Sequence, residues 1–320
     1  MRVFVTGGAG FIGSNLVDRL LQDGHQVTAY DNLSTGQPRF LQDALKQPGF
    51  ALIEGDILDA ERLTHSMREH ELVFHFAANA DVRFGTNHPK RDLEQNTIGT
   101  WQVLEAMRAN GVKRLAFSST GSVYGEPNVV PTPEDAPFPI QTSLYAASKL
   151  AGEGQIAAYC EGFGMQAWIF RFVSILGERY SHGHVFDFYK QLQEHPERLA
   201  VLGDGHQKKS YLYVQDCIDA MLLALRQATA RVNILNLGTD EYVEVNDSID
   251  EIVSELGLSP ARSYSGGIRG WVGDSPLIHL DCARMRQLGW APRLDIRQSV
   301  RETVRWLQAN PWVYELRGET

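Results

Sequence analysis

Three side chains in this sequence are of types that can move a proton. Thr120 lies in Ser118-Ser119-Thr120-Gly121-Ser122-Val123-Tyr124-Gly125, and Tyr145 and Lys149 bracket Tyr-Ala-Ala-Ser-Lys. A tyrosine ionises near pH ~10, so a neutral-pH base needs its phenolate stabilised by about 3 units, roughly 4 kcal/mol. On a helix, Tyr145 and Lys149 share one face at i,i+4, and the ammonium supplies part of that stabilisation. The pentapeptide alone is equally an exposed helix face, so the elements that must position it decide its meaning.

Those elements begin at the N-terminus. Val3-Phe4-Val5 is a short apolar run, followed by Thr6-Gly7-Gly8-Ala9-Gly10-Phe11-Ile12-Gly13 and then by Leu16, Val17, Leu20 and Leu21 at helical spacing. Strand, glycine turn and helix thus arrive in the order of a dinucleotide site. Gly7 permits the tight turn, Gly10 lets the backbone approach a pyrophosphate, and Gly13 lets helix and strand pack closely. The helix N-terminus, opening at Phe11 and Ile12, offers free N–H groups to phosphate. The second strand, Val27-Thr28-Ala29-Tyr30, ends on Asp31, where a carboxylate meets a ribose diol. With no arginine there to welcome a 2′-phosphate, NAD is expected over NADP. A nicotinamide cation near Tyr145 would add to the phenolate's stabilisation.

Further strand-like runs, at Ala51–Ile53, Leu72–Phe76, Arg114–Phe117 and Trp168–Phe172, alternate with helical segments. That alternation predicts an α/β fold, a Rossmann-type doubly wound parallel sheet over residues 1–175. Residues 176–320 read as a smaller α/β substrate-binding region, with a strand near 232–238 returning to the main sheet. The chain has 320 residues, a net charge of −9 and 43% hydrophobic residues. The acidic balance excludes a nucleic-acid partner, and no stretch is long and apolar enough to span a bilayer. The chain enters its first strand directly, without a visible leader. Cys160, Cys217 and Cys282 are widely separated and lack metal-ligand spacing, so they read as reduced cytoplasmic thiols and no metal site is expected. His182-Gly183-His184 is assigned to a substrate loop.

The assembled motifs carry a resemblance. Thr-Gly-Gly-Ala-Gly-Phe-Ile-Gly-Ser-Asn at 6–15, Asp-Asn-Leu-Ser-Thr-Gly at 31–36, Gly-Asp-Ile at 55–57 and Phe-Ala-Ala at 76–78 are joined by the Thr120 segment. Tyr145-x-x-x-Lys149 and Lys-Ser-Tyr-Leu-Tyr-Val-x-Asp at 209–216 complete the set. Over nearly its whole length the chain resembles the extended short-chain dehydrogenase/reductases, and within them the NAD-dependent nucleotide-sugar 4-epimerases of the UDP-glucose 4-epimerase type. The resemblance implies a cofactor site at Gly7, Gly10, Phe11, Ile12, Gly13, Asp31, Asn32, Ser34, Thr35, Gly36, Asp56, Ile57, Ala77, Ala78, Tyr145 and Lys149. It makes Thr120, Tyr145 and Lys149 catalytic, with Asn96 supporting them, and implies a UDP-sugar substrate and a homodimer. Substrate contacts are expected at Arg83, Ser122, Ser174, Val185, Ala200, Lys209 and Arg269.

Some positions depart from the family pattern. Thr120 replaces the commoner serine, and Lys209 an arginine, losing its bidentate fork. Ser174 stands where the family has an asparagine. Trp271 holds the arginine position before Gly273-Asp274, which leaves Arg269 to reach the diphosphate. Gly121 and Ser122 follow the triad hydroxyl where related dehydratases have carboxylates, so elimination of water is disfavoured. Interconversion of UDP-glucose and UDP-galactose through a transient 4-keto sugar is the leading expectation. An Arg83 clamp on a C6 carboxylate would make the sugar a glucuronate, and a cofactor-releasing dehydrogenase or a dehydratase is the remaining alternative.

Overall fold

The structure, a computed structural model, describes residues 1–317 other than 139, 272 and 276, with side chains described to residue 314. β1 (Arg2–Thr6) buries Val3, Phe4 and Val5 completely. Successive apolar positions of that kind suit a strand covered on both faces. α1 (Phe11–Gln22) follows through the glycine turn and turns Leu16, Val17 and Leu20 inward. β2 (Gln26–Asp31), β3 (Phe50–Glu54), α2 (Ala60–Ser66) and β4 (Leu72–His75) continue the alternation. Next come α3 (Val82–Asn87), α4 (Pro89–Arg91) and a π-helical run, Asp92–Ile98, that merges into α5 (Gly99–Ala109). β5 (Arg114–Thr120), α6 (Leu144–Phe163) and β6 (Gln166–Phe172) follow.

The chain then leaves the sheet for β7 (Ser174–Leu176), α7 (His184–Glu194), β8 (Arg198–Val201), β9 (Lys208–Lys209), β10 (Tyr211–Tyr213) and α8 (Val214–Gln227). It returns as β11 (Val232–Leu237), which pairs with β6. All seven strands of the main sheet are parallel, in the order β11-β6-β5-β4-β1-β2-β3. The winding reverses between β1 and β4, where Thr6 stands opposite His75. In such sheets a ligand crevice opens beyond the carboxyl ends of the strands at the reversal. Strand alternation divides the core between the two faces. Val5, Phe74, Ala116, Trp168 and Phe170 fill one side, and Phe4, Val73, Leu115, Phe117 and Ile169 the other.

The remaining elements form small sheets at the mouth of that crevice. β7 pairs with β10. β12 (Val243–Glu244), α9 (Val245–Leu256), β13 (Ala261–Tyr264) and β14 (Leu277–Ile278) come next, with β13 on β8 and with β12 and β14 flanking β9, and the helices α10 (Ala283–Gln287) and α11 (Ile296–Ala309) follow. Among the described residues no helix is long and apolar enough to cross a membrane.

Candidate active site

The cofactor side is built by close approach of backbones. Gly7 has φ +68°, and a Cβ on it would lie 2.6 Å from the Ala77 nitrogen at the end of β4. A Cβ on Gly13 would stand 2.1 Å from the Gly7 carbonyl oxygen, so α1 can sit this near the turn only without one. Gly10 is the N-cap of α1 and gives it no side-chain cap, and the first turn holds no acid. The N–H groups of Phe11, Ile12 and Gly13 are left facing the crevice end, a cradle for an anion.

Asp31 is buried and accepts from the Ala9 and Leu33 amides, both at 2.9 Å. Each carboxylate oxygen has a lone pair left for a diol. Asn32 bonds Asp56 at 2.9 Å and accepts from Ser34, which opens the loop through Thr35 and Gly36; Ile57 is buried beneath. The Ala77 amide bonds the Thr6 hydroxyl, and Ala78 follows it along the edge of the crevice. Turn, free helix end and diol acceptor fit a dinucleotide, and these residues would hold it.

The catalytic candidates meet where β5 ends beside α6. Thr120 closes β5, and its hydroxyl hydrogen-bonds the Tyr145 phenol while accepting from the Ser122 amide at 3.1 Å. Ser143 caps α6 through the Ala146 amide, which sets Tyr145 on the first turn and Lys149 on the second. The expected electrostatics differ from those found. The Lys149 ammonium donates to the Ser118 carbonyl at 2.8 Å and lies 4.8 Å from the Phe117 ring centre. Burial pushes the Tyr145 phenol up to about 12, against the lowering by Thr120; the Asp92 carboxylate adds to the rise. Burial also lowers Lys149, to about 7, opposed by Asp92 and then Glu153. Burial of the ring, rather than the lysine, dominates the electrostatics of Tyr145, because the Lys149 ammonium is aimed elsewhere.

Asn96 is fully buried on the π-helical run. Its amide donates to the Asn79 carbonyl, to Asp92 and to Ser148 on α6, and accepts from the Asn79 amide at 2.8 Å. Beneath α6, Glu153 and Arg171 form a bidentate pair at 3.0 and 2.7 Å, both almost wholly buried. Ser119, next to Thr120, donates to Glu153 at 2.5 Å. Arg171 also donates to the Tyr124 hydroxyl and the Glu134 carbonyl. Tyr124 in turn donates to Asn236 of β11. The sequence reading missed Asp92, Ser148, Glu153 and Arg171. Glu153 left a signal, since it repeats the i,i+4 spacing once beyond Lys149.

The substrate candidates gather less tightly. Arg83 and Lys209 lie 5.7 and 5.8 Å from the Trp271 ring centre. Lys209 is tied to Asp274 at 2.6 Å and to the Ser275 carbonyl, and Arg269 to the Asp274 carbonyl and Glu126. Arg83 pairs with Asp187 at 3.3 Å and Asp81 at 4.0 Å. Val185 is wholly buried in α7, whereas Ala200 on β8 and Ser174 on β7 are exposed. Ser122 is turned toward Thr120 by its amide. His184 is half-buried and hydrogen-bonded to Ser248 at 2.7 Å, and burial, then Lys209, lowers its ring to about 3. His182 stacks on Tyr180.

Residues 3–238 match the NAD dependent epimerase/dehydratase family. The chain belongs to that family. NAD is its cofactor. A UDP-glucose 4-epimerase of Mycolicibacterium smegmatis is 33% identical over 96% of this chain and 99% of its own. The Thermotoga maritima UDP-glucose 4-epimerase solved with UDP-glucose superposes with a TM-score of 0.88, at 31% identity, over 97% of this chain and 100% of that one. The Thermus thermophilus UDP-glucose 4-epimerase solved with NAD gives a TM-score of 0.85, also at 31% identity, over 96% and 99%.

Proposed function

We propose that this epimerase inverts C4 of a UDP-sugar, interconverting UDP-glucose and UDP-galactose, with Tyr145 as the acid–base group. The observation that carries the reading is the meeting of Thr120, Tyr145 and Lys149 at the β5–α6 junction, with Gly121 and Ser122 after the threonine. NAD, when bound, supplies the acceptor and donor of hydride together with a ring cation. Tyr145 takes the sugar 4-hydroxyl proton and later returns it, and Thr120 fixes the oxygen between them. Lys149, anchored on Ser118, places its amino group beneath the site, where Asp92 and Glu153 favour the charged form against burial. Epimerisation asks for nothing more than one such base, whereas elimination needs a carboxyl acid. Glu126, the first carboxylate after Thr120, is engaged by Arg269.

Lys209 and Arg269 are the cations assigned to the diphosphate, and the mouth between β8 and β13 to the base. The uronate reading requires Arg83 to leave Asp187, at 3.3 Å, and Asp81, at 4.0 Å. Incubating the NAD-loaded enzyme separately with UDP-glucose, UDP-galactose, UDP-N-acetylglucosamine and UDP-glucuronate tests the assignment. The expected result is interchange of the first two without net reduction of NAD. Steady accumulation of NADH, or turnover confined to the uronate, contradicts it.

A homodimer completes the proposal. Leu144, Ala147, Ala151, Gly154 and Ala158 recur at helical spacing along an exposed face of α6, and Leu93, Ile98 and Trp101 are exposed on the neighbouring π-helical run and α5. Small residues on α6 allow another helix to approach closely, and the larger ones supply apolar area. Sedimentation should give the mass of two chains, and Ala151→Glu should give that of one. A wild-type monomer at micromolar concentration ends this part of the proposal. A cytoplasmic location accords with the three buried free thiols.

A further inference from the structure

Asp92 is a buried carboxylate that the mechanism above does not use. It is 2% exposed. Its Oδ1 accepts from Asn79 Nδ2 at 2.9 Å and Asn96 Nδ2 at 3.2 Å, and its Oδ2 has no partner. α3 closes over it at Gly85, where a Cβ would lie 2.1 Å from Oδ2. The same Asn96 amide reaches Ser148 Oγ at 3.0 Å, and Ser148 donates to the Tyr145 carbonyl at 2.7 Å. A short hydrogen-bonded path therefore runs from Asp92 to the turn of α6 that carries Tyr145 and Lys149. The π-helical turn is what brings Asp92 and Asn96 to this depth, and such turns cluster at functional sites.

The hydrogen bonds do not require a charge. The carbonyl oxygen of an asparagine at 92 would accept from Asn79 and Asn96 equally well. A carboxylate instead leaves one oxygen unpaired in a desolvated place, which is costly unless its charge is used. Burial raises the Asp92 carboxyl above the ordinary carboxylate range, opposed by the Asn79 hydrogen bond and then by the Lys149 charge from α6, while Asp81 from the loop before α3 adds to the rise. Lys149 is faced by Asp92 and Glu153, with His75 of β4 beside it, neutral because burial and Lys149 lower it to about 3. Glu153 is already bound to Arg171 and Ser119. That leaves Asp92 as the buried carboxylate whose charge is directed at the catalytic pair.

We propose that Asp92 is a positioning residue of the reaction: through Asn96 and Ser148 it fixes the catalytic turn of α6, and its buried charge balances the Lys149 ammonium. The inference rests on the assignment of Tyr145 and Lys149 made above. Its sign follows from electrostatics. A negative charge at 92 favours the ammonium over the amine and disfavours the phenolate, so it raises both groups. Activity needs the phenolate and the ammonium together. Removing the charge therefore moves the acidic and the basic limb in the same direction, to lower pH.

The test is the pH dependence of kcat/KM for the NAD-loaded wild type and Asp92→Asn, with UDP-glucose as substrate. Both limbs are expected to move down by on the order of one unit. On the acidic limb the variant should then keep about tenfold more of its own maximal rate. A profile that superimposes on the wild type after scaling overturns the proposal, since lost packing alone lowers the rate without moving its limbs. Asp92→Ser serves as the neutral variant if Asp92→Asn does not fold. If turnover is too slow, the phenolate absorbance of the NAD-loaded proteins, each subtracted against its Tyr145→Phe counterpart, reports the same displacement, and an unmoved titration also overturns the proposal. Full activity in Tyr145→Phe alone would sink the catalytic assignment instead, so the two failures are distinguishable.

Discussion

Tyr145→Phe is expected to lower kcat by roughly 10²–10⁴-fold, the usual contribution of a positioned acid–base group. The substitution deletes one oxygen, whose protein partner is the Thr120 hydroxyl. The ring itself is retained and can keep its packing, so fold and NAD affinity should survive. That separation makes the result readable. Thermal melting and NAD titration should match the wild type while product formation collapses. A variant keeping more than about a tenth of wild-type kcat would move the proton-transfer role to another group.

The largest effect on stability is expected at Arg171. Arg171→Met leaves Glu153 buried without its counter-ion, and breaking a buried pair from one side costs about 3–5 kcal/mol. The loss extends to Tyr124 and the Glu134 carbonyl, which share the guanidinium. Adding Glu153→Leu to Arg171→Met removes the stranded charge and should recover most of the deficit, because apolar replacement of both members is often neutral. Denaturant midpoints of the wild type, single and double variants give the comparison. A single variant within about 1 kcal/mol of the wild type would show that the pair does not hold α6 against β6.

What the sequence disclosed was whatever depends on short spacing. The glycine turn, Asp31 at the end of β2 and the Tyr145–Lys149 face each lie within a few residues, and local geometry follows from such spacing. The parallel, doubly wound sheet was legible for the same reason, through repeated strand–helix alternation. Glu153 and Arg171 are eighteen residues apart on different elements, and only the fold tells that they touch. The π-helical turn was also invisible, since Asp92 and Asn96 read as ordinary i,i+4 neighbours. Side-chain aim was the subtler loss. Periodicity puts Lys149 beneath Tyr145, yet the Ser118 carbonyl at the end of β5 captures its ammonium, and burial then raises the phenol.

The return of β11 to the edge of the main sheet has a consequence for biosynthesis. β6 ends at Phe172 and β11 runs from Val232 to Leu237, so 59 residues separate the two neighbouring strands and 65 must be made before β11 is complete. At ~5–20 residues per second, the ribosome needs about 3 to 13 seconds to deliver the missing strand. During that interval β6 is an unpaired edge, and Asn236 is not yet there to meet Tyr124. A nascent chain stalled after β6 has left the ribosome but before β11 is made would therefore display an open parallel edge to its neighbours, the kind of surface that chaperones recognise and that aggregates grow from.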